Sequence, residues 1–260
     1  MKLLSEERIQ QINSILRDKG QVRVSELVEV FGVSEVTIRS DLEALRSRNL
    51  LTRIHGGAVI VSEKLDGIYV SLDVKYRNRL KRNAEEKRRI GKAAAKLINN
   101  GDSVLLEDGT TVLYVAKCLK NKFCTVATPG INICMELLEA HDVEVFLTGG
   151  YLRKNSLSLV GPISESVIAS FKAQQAFVGA TALSLEHGLS TSDQLEAGVK
   201  KKIIERAERL IIVADHTKIE KVGLIEVASL EQIDVLVTGR EVPPEIVEKY
   251  RQRGIEVILA

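Results

Sequence analysis

Seven short apolar runs between Val104 and Leu259 restrict the fold of this chain more than any other feature. They are Val104-Leu105-Leu106, Thr125-Val126-Ala127, Val143-Glu144-Val145-Phe146-Leu147, Ala176-Phe177-Val178, Leu210-Ile211-Ile212-Val213, Val235-Leu236-Val237 and Ile255-Glu256-Val257-Ile258-Leu259, and helical segments lie between most of them. Strands that read as continuous apolar runs are buried on both faces, and intervening helices supply the crossovers that parallel pairing needs. From about residue 85 to residue 260 we therefore expect a mostly parallel, Rossmann-like α/β domain.

The first 59 residues follow a different rhythm. Ser5 can cap a first helix with Ile9, Ile12, Ile15 and Leu16 on one face, and Gly20 stops it. Val22 and Val24 alternate with polar residues and suggest a brief strand. Ser25 opens a second helix carrying Leu27, Val28 and Phe31; Gly32-Val33 makes a tight turn; Ser34 caps a third helix reaching about Ser47. Helix, Gly-bearing turn and capped helix form a helix-turn-helix. Leu51 to Val59 then reads as strand, Gly56-Gly57 turn and strand, which makes a wing beside that helix.

On a wheel of about 100° per residue the third helix puts Ile38, Leu42 and Leu45 together, facing the core. Val36, Ser40, Glu43 and Ser47 take the opposite face, with Thr37 and Arg39 on the flanks. The N-terminal half of such a helix enters the major groove. Thr37 and Ser40 could donate to bases or phosphates, Arg39 could bind phosphate or guanine, and Val36 could touch a thymine methyl. From Ala44 to Val59 there is no acid, while Arg46, Arg48, Arg53 and His55 are present, a local excess suited to phosphate contacts. Candidate DNA-contacting residues are thus Ser34, Val36, Thr37, Arg39, Ser40, Arg53 and His55.

Residues 60–84 carry no clean apolar period, include Gly67, and read as a linker leading into a helix. From Lys75 to Lys92 there are nine basic residues and two acids, Glu85 and Glu86. That run is either a solvated helix face or an element that meets phosphate or a second subunit.

Net charge is only +2, so distribution rather than total charge speaks for nucleic-acid binding. Cys118, Cys124 and Cys134 lack zinc-site spacing and are odd in number, which suggests buried, reduced thiols in a cytoplasmic protein. His55, His141, His187 and His216 are scattered, so neither metal nor cofactor is expected. The N-terminus has no signal-peptide h-region, and no stretch approaches the roughly 18 apolar residues of a membrane span.

After the strand ending at Glu107 comes Asp108-Gly109-Thr110-Thr111 at a helix start, where free N–H groups, the helix dipole and two hydroxyls could hold an anion. Thr128-Pro129-Gly130, Thr148-Gly149-Gly150, Gly179-Ala180-Thr181 and Asp215-His216-Thr217-Lys218 also follow strands. Ligands bind beyond the carboxyl ends of parallel strands, so several of these turns should share one rim. Lys218 there could meet a phosphate, and Glu196 with Lys200, four apart, is either a surface helix pair or part of the lining.

Val33-Ser34-Glu35-Val36-Thr37-Ile38-Arg39-Ser40-Asp41-Leu42, with Leu51-Thr52-Arg53-Ile54-His55-Gly56-Gly57-Ala58, resembles the N-terminal signature of DeoR-family repressors, which usually have Arg where Ser40 stands. The C-terminal region resembles that family's sensor domain through Asp108 to Thr111, Thr148 to Arg153, Gly161-Pro162, Phe177 to Ala180, Gly188 to Thr191 and Asp215 to Lys218. Pro129, often Asn in the family, and Thr181-Ala182, often Asp-Gly, depart from the pattern. The sensor domain is similar to ribose-5-phosphate isomerase. The resemblance therefore implies a regulator of a carbohydrate-utilisation operon, a repressor relieved by a phosphorylated sugar, with Arg153 added to the effector residues. Thr128 to Leu159 is most similar to members that control amino-sugar or galactosamine use.

An active isomerase is the rival expectation. It needs a base to move a proton between carbons, yet Val178 and Thr181 stand where isomerases of the related fold carry Asp. A ligand-free architectural DNA-binding or adaptor protein is a third. Two-fold operators lead us to expect at least a dimer, formed mainly through the C-terminal domain.

Overall fold

The computed structural model describes residues 5–19, 21–47, 51–54, 56–60 and 74–260. Gly20, Arg48, His55 and Gly67, each given a role above, lie outside these residues. The chain divides into two compact units, 1–77 and 78–260.

In the first unit, helix α1 (Ser5–Lys19) precedes β1 (Gln21–Arg23), α2 (Val24–Phe31) and α3 (Glu35–Ser47). Strands β2 (Leu51–Ile54) and β3 (Gly57–Ile60) follow, and the antiparallel sheet runs β1-β3-β2. Gly32 ends α2 in the left-handed conformation, φ 60°, which suits a residue without Cβ. Ser34 Oγ accepts the Thr37 N–H at 3.3 Å, so the expected cap on α3 forms. Ile38, Leu42 and Leu45 pack with Ile12, Leu16 and Leu27 in one core. At Gly57 a Cβ would lie 2.2 Å from the Val22 carbonyl oxygen, so only glycine lets β3 approach there.

Helix α4 (Val74–Lys81), at the end of the segment read as linker, crosses the boundary between the units, and α5 (Ala84–Ala94) follows it in the second unit. Then come β4 (Ser103–Leu106), α6 (Thr110–Ala116), β5 (Cys124–Thr128), α7 (Ile131–Leu137), β6 (Val143–Leu147), β7 (Tyr151–Arg153), β8 (Ser158–Val160) and α8 (Pro162–Ala169). Next are β9 (Ala173–Gly179), β10 (Ala182–Ser184), β11 (Gly188–Thr191), α9 (Gln194–Glu205), β12 (Ala207–Ala214), β13 (Ile225–Ala228), β14 (Val235–Thr238), α10 (Pro244–Gln252) and β15 (Glu256–Leu259).

Each of the seven apolar runs falls on one strand of a seven-stranded sheet, order β15-β14-β12-β9-β4-β5-β6, and every pairing is parallel. Period-two alternation divides their side chains between two cores. Leu105, Val178, Ile212 and Leu236 pack with Ala197, Ile203, Val247 and Tyr250 on one face. Leu106, Phe177, Ile211 and Val237 pack with Ile90, Val112 and Ile133 on the other. The strand order reverses between β4 and β9, which makes their carboxyl ends the topological switch point. The hairpin β7–β8 and the small sheet β10-β11-β13 stand apart from this sheet.

Candidate functional site

At the switch point lies a cleft of about 720 Å³ including its open mouth. The segments after β4, β9 and β12 converge on it. Asp108, Gly109, Thr110, Thr111, Gly179, Thr181, Glu196, Lys200 and Lys218, all named from sequence, line it. So do Glu107, Ala180 and Asp215, together with Arg79, Arg82 and Lys87 from the basic run.

Thr128, Gly149, Gly150 and Arg153 do not line this cleft, because β5 and β6 end farther from the reversal. Thr128 is buried and its hydroxyl accepts the Gly130 N–H at 3.0 Å. Thr148, before Gly149-Gly150, shares a 2.8 Å hydrogen bond with Ser164. Arg153 on β7 pairs at 2.8 Å with both Asp193 and Glu196, holding the first turn of α9.

Glu107 is the keystone that sequence reading missed. Its Oε2 accepts the Gly109 N–H at 2.8 Å and the Gly179 N–H at 3.1 Å, so one carboxylate ties the β4 and β9 ends together. Its Oε1 lies 2.7 Å from Lys200 Nζ, which also donates to the Gly179 carbonyl at 2.6 Å. A Cβ at Gly109 or Gly179 would fall 2.7 or 3.0 Å from that Oε2, so both glycines make room for the strut. Lys200 is thus a buried structural cation and not an exposed partner of Glu196. Burial pulls the Glu107 carboxyl upward, but Lys200 and the two backbone N–H groups outweigh it and hold its pKa below the usual value. Burial likewise opposes the Lys200 charge, and Glu107 and Asp108 restore it, so its pKa is raised. Asp108 is the reverse case: burial first, then the charge of Glu107, push its pKa well up, with Lys200 opposing and Glu196 adding to the shift.

The other end of the cleft is cationic. Lys87 Nζ is buried, donates to the Arg79 carbonyl at 2.6 Å and to Thr110 Oγ1 at 3.2 Å, and lies 4.0 Å from Asp215. Burial lowers its pKa to about 8; Asp215 opposes that shift, and Lys218, Arg79 and Arg82 reinforce it. Asp215 caps the turn His216–Lys218 by accepting the Thr217 N–H at 3.1 Å, which positions Lys218. Among the described residues the side chains of Arg82 and Lys218 have neither a hydrogen-bonding nor an ion-pairing partner, while Lys200 and Lys87 have acids beside them.

In the first unit Ser34, Val36, Arg39 and Ser40 are exposed and Thr37 is half-buried. Val36 is 77% exposed, and Val30 of α2 is 64% exposed. Arg39 pairs with Glu35 at 3.2 Å, and Thr37 shares a 2.9 Å hydrogen bond with Ser34. Arg53 is turned back to α3, 3.5 Å from the Arg39 carbonyl and 3.6 Å from Glu43. Inside, Arg8 of α1 grips Asp41 of α3 through two contacts, Nε–Oδ2 at 2.6 Å and Nη2–Oδ1 at 3.0 Å. Sequence periodicity gave no sign of that buried pair.

Two further expectations need correction. Of the three thiols only Cys124 is buried; Cys134 is half-buried, and Cys118, just past the end of α6, is exposed. The histidines looked scattered, yet among the described residues Glu86, Asp215 and His216 converge. Their polar atoms are engaged: Glu86 accepts the His216 N–H at 2.7 Å and meets its Nδ1 at 2.8 Å, and Asp215 accepts from Asn83 and Thr217. No helix among the described residues is long and apolar enough to cross a membrane.

The profile of the DeoR-like helix-turn-helix domain matches residues 8–64, and that of the DeoR C terminal sensor domain matches residues 82–240. The chain is 35% identical to the putative aga operon transcriptional repressor of Escherichia coli O157:H7, over 97% of this chain and 93% of that one. It is 32% identical to the HTH-type transcriptional repressor GlcR of Bacillus subtilis (strain 168), over 99% and 97%. To the glycerol-3-phosphate regulon repressor of Escherichia coli (strain K12) it is 29% identical, over 95% and 96%. Among solved structures, a D-ribose-5-phosphate isomerase in complex with phospho-erythronic acid shares 19% identity at a TM-score of 0.40, over 52% of this chain and 54% of that one. A winged helix-turn-helix followed by a parallel α/β sensor unit, matched by both profiles, makes this chain a member of the DeoR family.

Proposed function

We propose that the chain is a transcriptional repressor of a carbohydrate-utilisation operon, and that a phosphorylated sugar in the switch-point cleft relieves its hold on operator DNA. One observation carries the reading: one end of the cleft gathers Arg82, Lys87 and Lys218 against one lining acid, Asp215, and hydrogen-bonding carboxyl and hydroxyl groups line the rest. Gly109, Thr110, Thr111 and Lys218 would bind the phosphoryl group. Asp108, Thr181 and Glu196 would meet sugar hydroxyls. The first 59 residues would read DNA through Val36, Thr37, Arg39 and Ser40, with Ser34 and Arg53 bracing them; residues 60–84 would link, and 85–260 would bind effector and oligomerise.

Turnover of the sugar is disfavoured by the same geometry. Val178 is apolar and buried, Glu107 is locked by Lys200, and Glu196 is paired with Arg153, so no free base faces the cleft from these positions. As a dimer or larger assembly in the cytoplasm, the protein would grip a two-fold operator, and the ligand would favour a spacing of the winged helices that the operator cannot accept.

Mobility shift with DNA upstream of the chain's own operon, with and without a panel of pentose and hexose phosphates, tests this. At least one sugar phosphate should release wild-type protein and fail to release Lys218→Ala. No retarded band under any condition, or sustained conversion of a sugar phosphate, would refute it.

A further inference from the structure

The corner between α4 and α5 is attached to the cleft through Asn83 and Lys87, and to the loop before β8 through Arg79. Asn83 adopts a left-handed backbone, φ 54°, and its amide donates to Asp215 at 3.1 Å. Asn tolerates that conformation better than most residues. Lys87, one turn into α5, joins the Arg79 carbonyl to Thr110 Oγ1. Arg79 itself donates to the Asn155 carbonyl at 2.8 Å. The corner thereby brings Arg79 and Arg82 to the same cleft as Thr110, Thr111 and Lys218, although these groups are far apart in sequence. Lys218, Arg79 and Arg82 each act on the Lys87 ammonium with like charge, and an arriving dianion would relieve that repulsion.

We propose that the α4–α5 corner is a second wall of the anion subsite: Arg79 and Arg82 grip the phosphoryl oxygens, and ligand binding thereby sets the last turn of α4. This rests on the reading of the cleft as a phosphate site. Helix α4 runs across the boundary between the two units, so the segment that senses the ligand's charge is also the one through which the chain passes from one unit to the other. Arginine suits this task because its planar fork can bind two phosphoryl oxygens at once.

The test uses full-length protein and inorganic phosphate as probe, by isothermal titration and by hydrogen exchange with and without phosphate. Arg82 is exposed and without a side-chain partner among the described residues, so Arg82→Ala should fold normally, and its phosphate-free melting point checks that. Arg82→Ala should weaken phosphate binding about tenfold, as loss of one charge-assisted contact implies. Arg82→Lys should recover part of it. Lys172→Ala, removing an exposed charge outside the cleft, should have no effect. Phosphate should slow amide exchange at residues 78–82 in wild type and not in Arg82→Ala. If Lys218→Ala loses binding while Arg82→Ala keeps it, the corner is not part of the site, although the cleft remains one. If Arg82→Ala binds weakly but amides 78–82 ignore phosphate in wild type, the setting of α4 is refuted. If wild type binds no phosphate, the cleft reading falls and takes the corner with it.

Discussion

Replacing Glu107 by Gln keeps the side chain's shape and removes its charge. The carboxylate serves three buried donors: the Gly109 and Gly179 N–H groups through Oε2, and Lys200 through Oε1. A Gln offers one acceptor oxygen and one donor nitrogen. If the oxygen faces the backbone N–H groups, the amide faces an ammonium 2.7 Å from the former Oε1; if it is flipped, the amide faces two N–H groups. Both side chains of the pair are about nine-tenths buried or more, at 5% and 4% exposure, so solvent cannot step in. Breaking such a pair costs about 3–5 kcal/mol. For a unit of this size each kcal/mol moves the melting point roughly 2–4 °C, so Glu107→Gln should melt roughly 6–20 °C lower. Calorimetry at pH 7 would read this in the transition of the second unit, with the first unit's transition unmoved. Adding Lys200→Met to Glu107→Gln should recover part of the loss, because the orphaned ammonium is gone. A single mutant melting within 2 °C of wild type (about 1 kcal/mol or less) would refute the claim that this pair ties the strand ends together.

Other outcomes follow from the same geometry. Arg39→Ala should weaken operator binding at least about tenfold and reduce the slope of log affinity against log salt by about 1, with effector binding unchanged, as a lost phosphate contact requires. Asp41→Asn should remove the charge that meets the buried Arg8, at about 3 kcal/mol, and speed amide exchange in α1 and α3 about a hundredfold. Phosphate affinity should fall as pH rises above about 8, where Lys87 loses its proton in the free protein; the dianion raises that pKa, so binding takes up a proton that is scarce at high pH. Arg79, Arg82 and Lys218 face Lys87 with like charge, and Asp215 and Thr110 face it as acceptors, so titration between pH 8 and 10 should show this decline and Lys87→Met should abolish it.

Much of the fold was legible because it is written in local periodicity. The seven apolar runs became the seven strands of the main sheet one for one, and the face of α3 carrying Ile38, Leu42 and Leu45 is the buried one. The hairpin strands β7 and β8 of the second unit escaped notice. Tyr151-Leu152-Arg153 and Ser158-Leu159-Val160 are three residues each, too brief for alternation to stand out, and exist because they pair with each other. The turn at the cleft that runs from Asp108 to Thr111 was visible because its parts are contiguous. Arg79 and Arg82 could be seen only as members of a basic run.

The chain's own pattern determined that a winged helix precedes a parallel sheet, since burying a given face needs only the period of the residues on it. Which strand ends would meet was decided by tertiary structure. The reversal of order between β4 and β9 brought Glu107, Gly179 and Lys200 into one network and left Thr128, Gly149 and Gly150 outside it. Contacts across 72 residues, as between Glu107 and Gly179, carry no periodic trace, because each partner's position is fixed by the packing of the whole sheet.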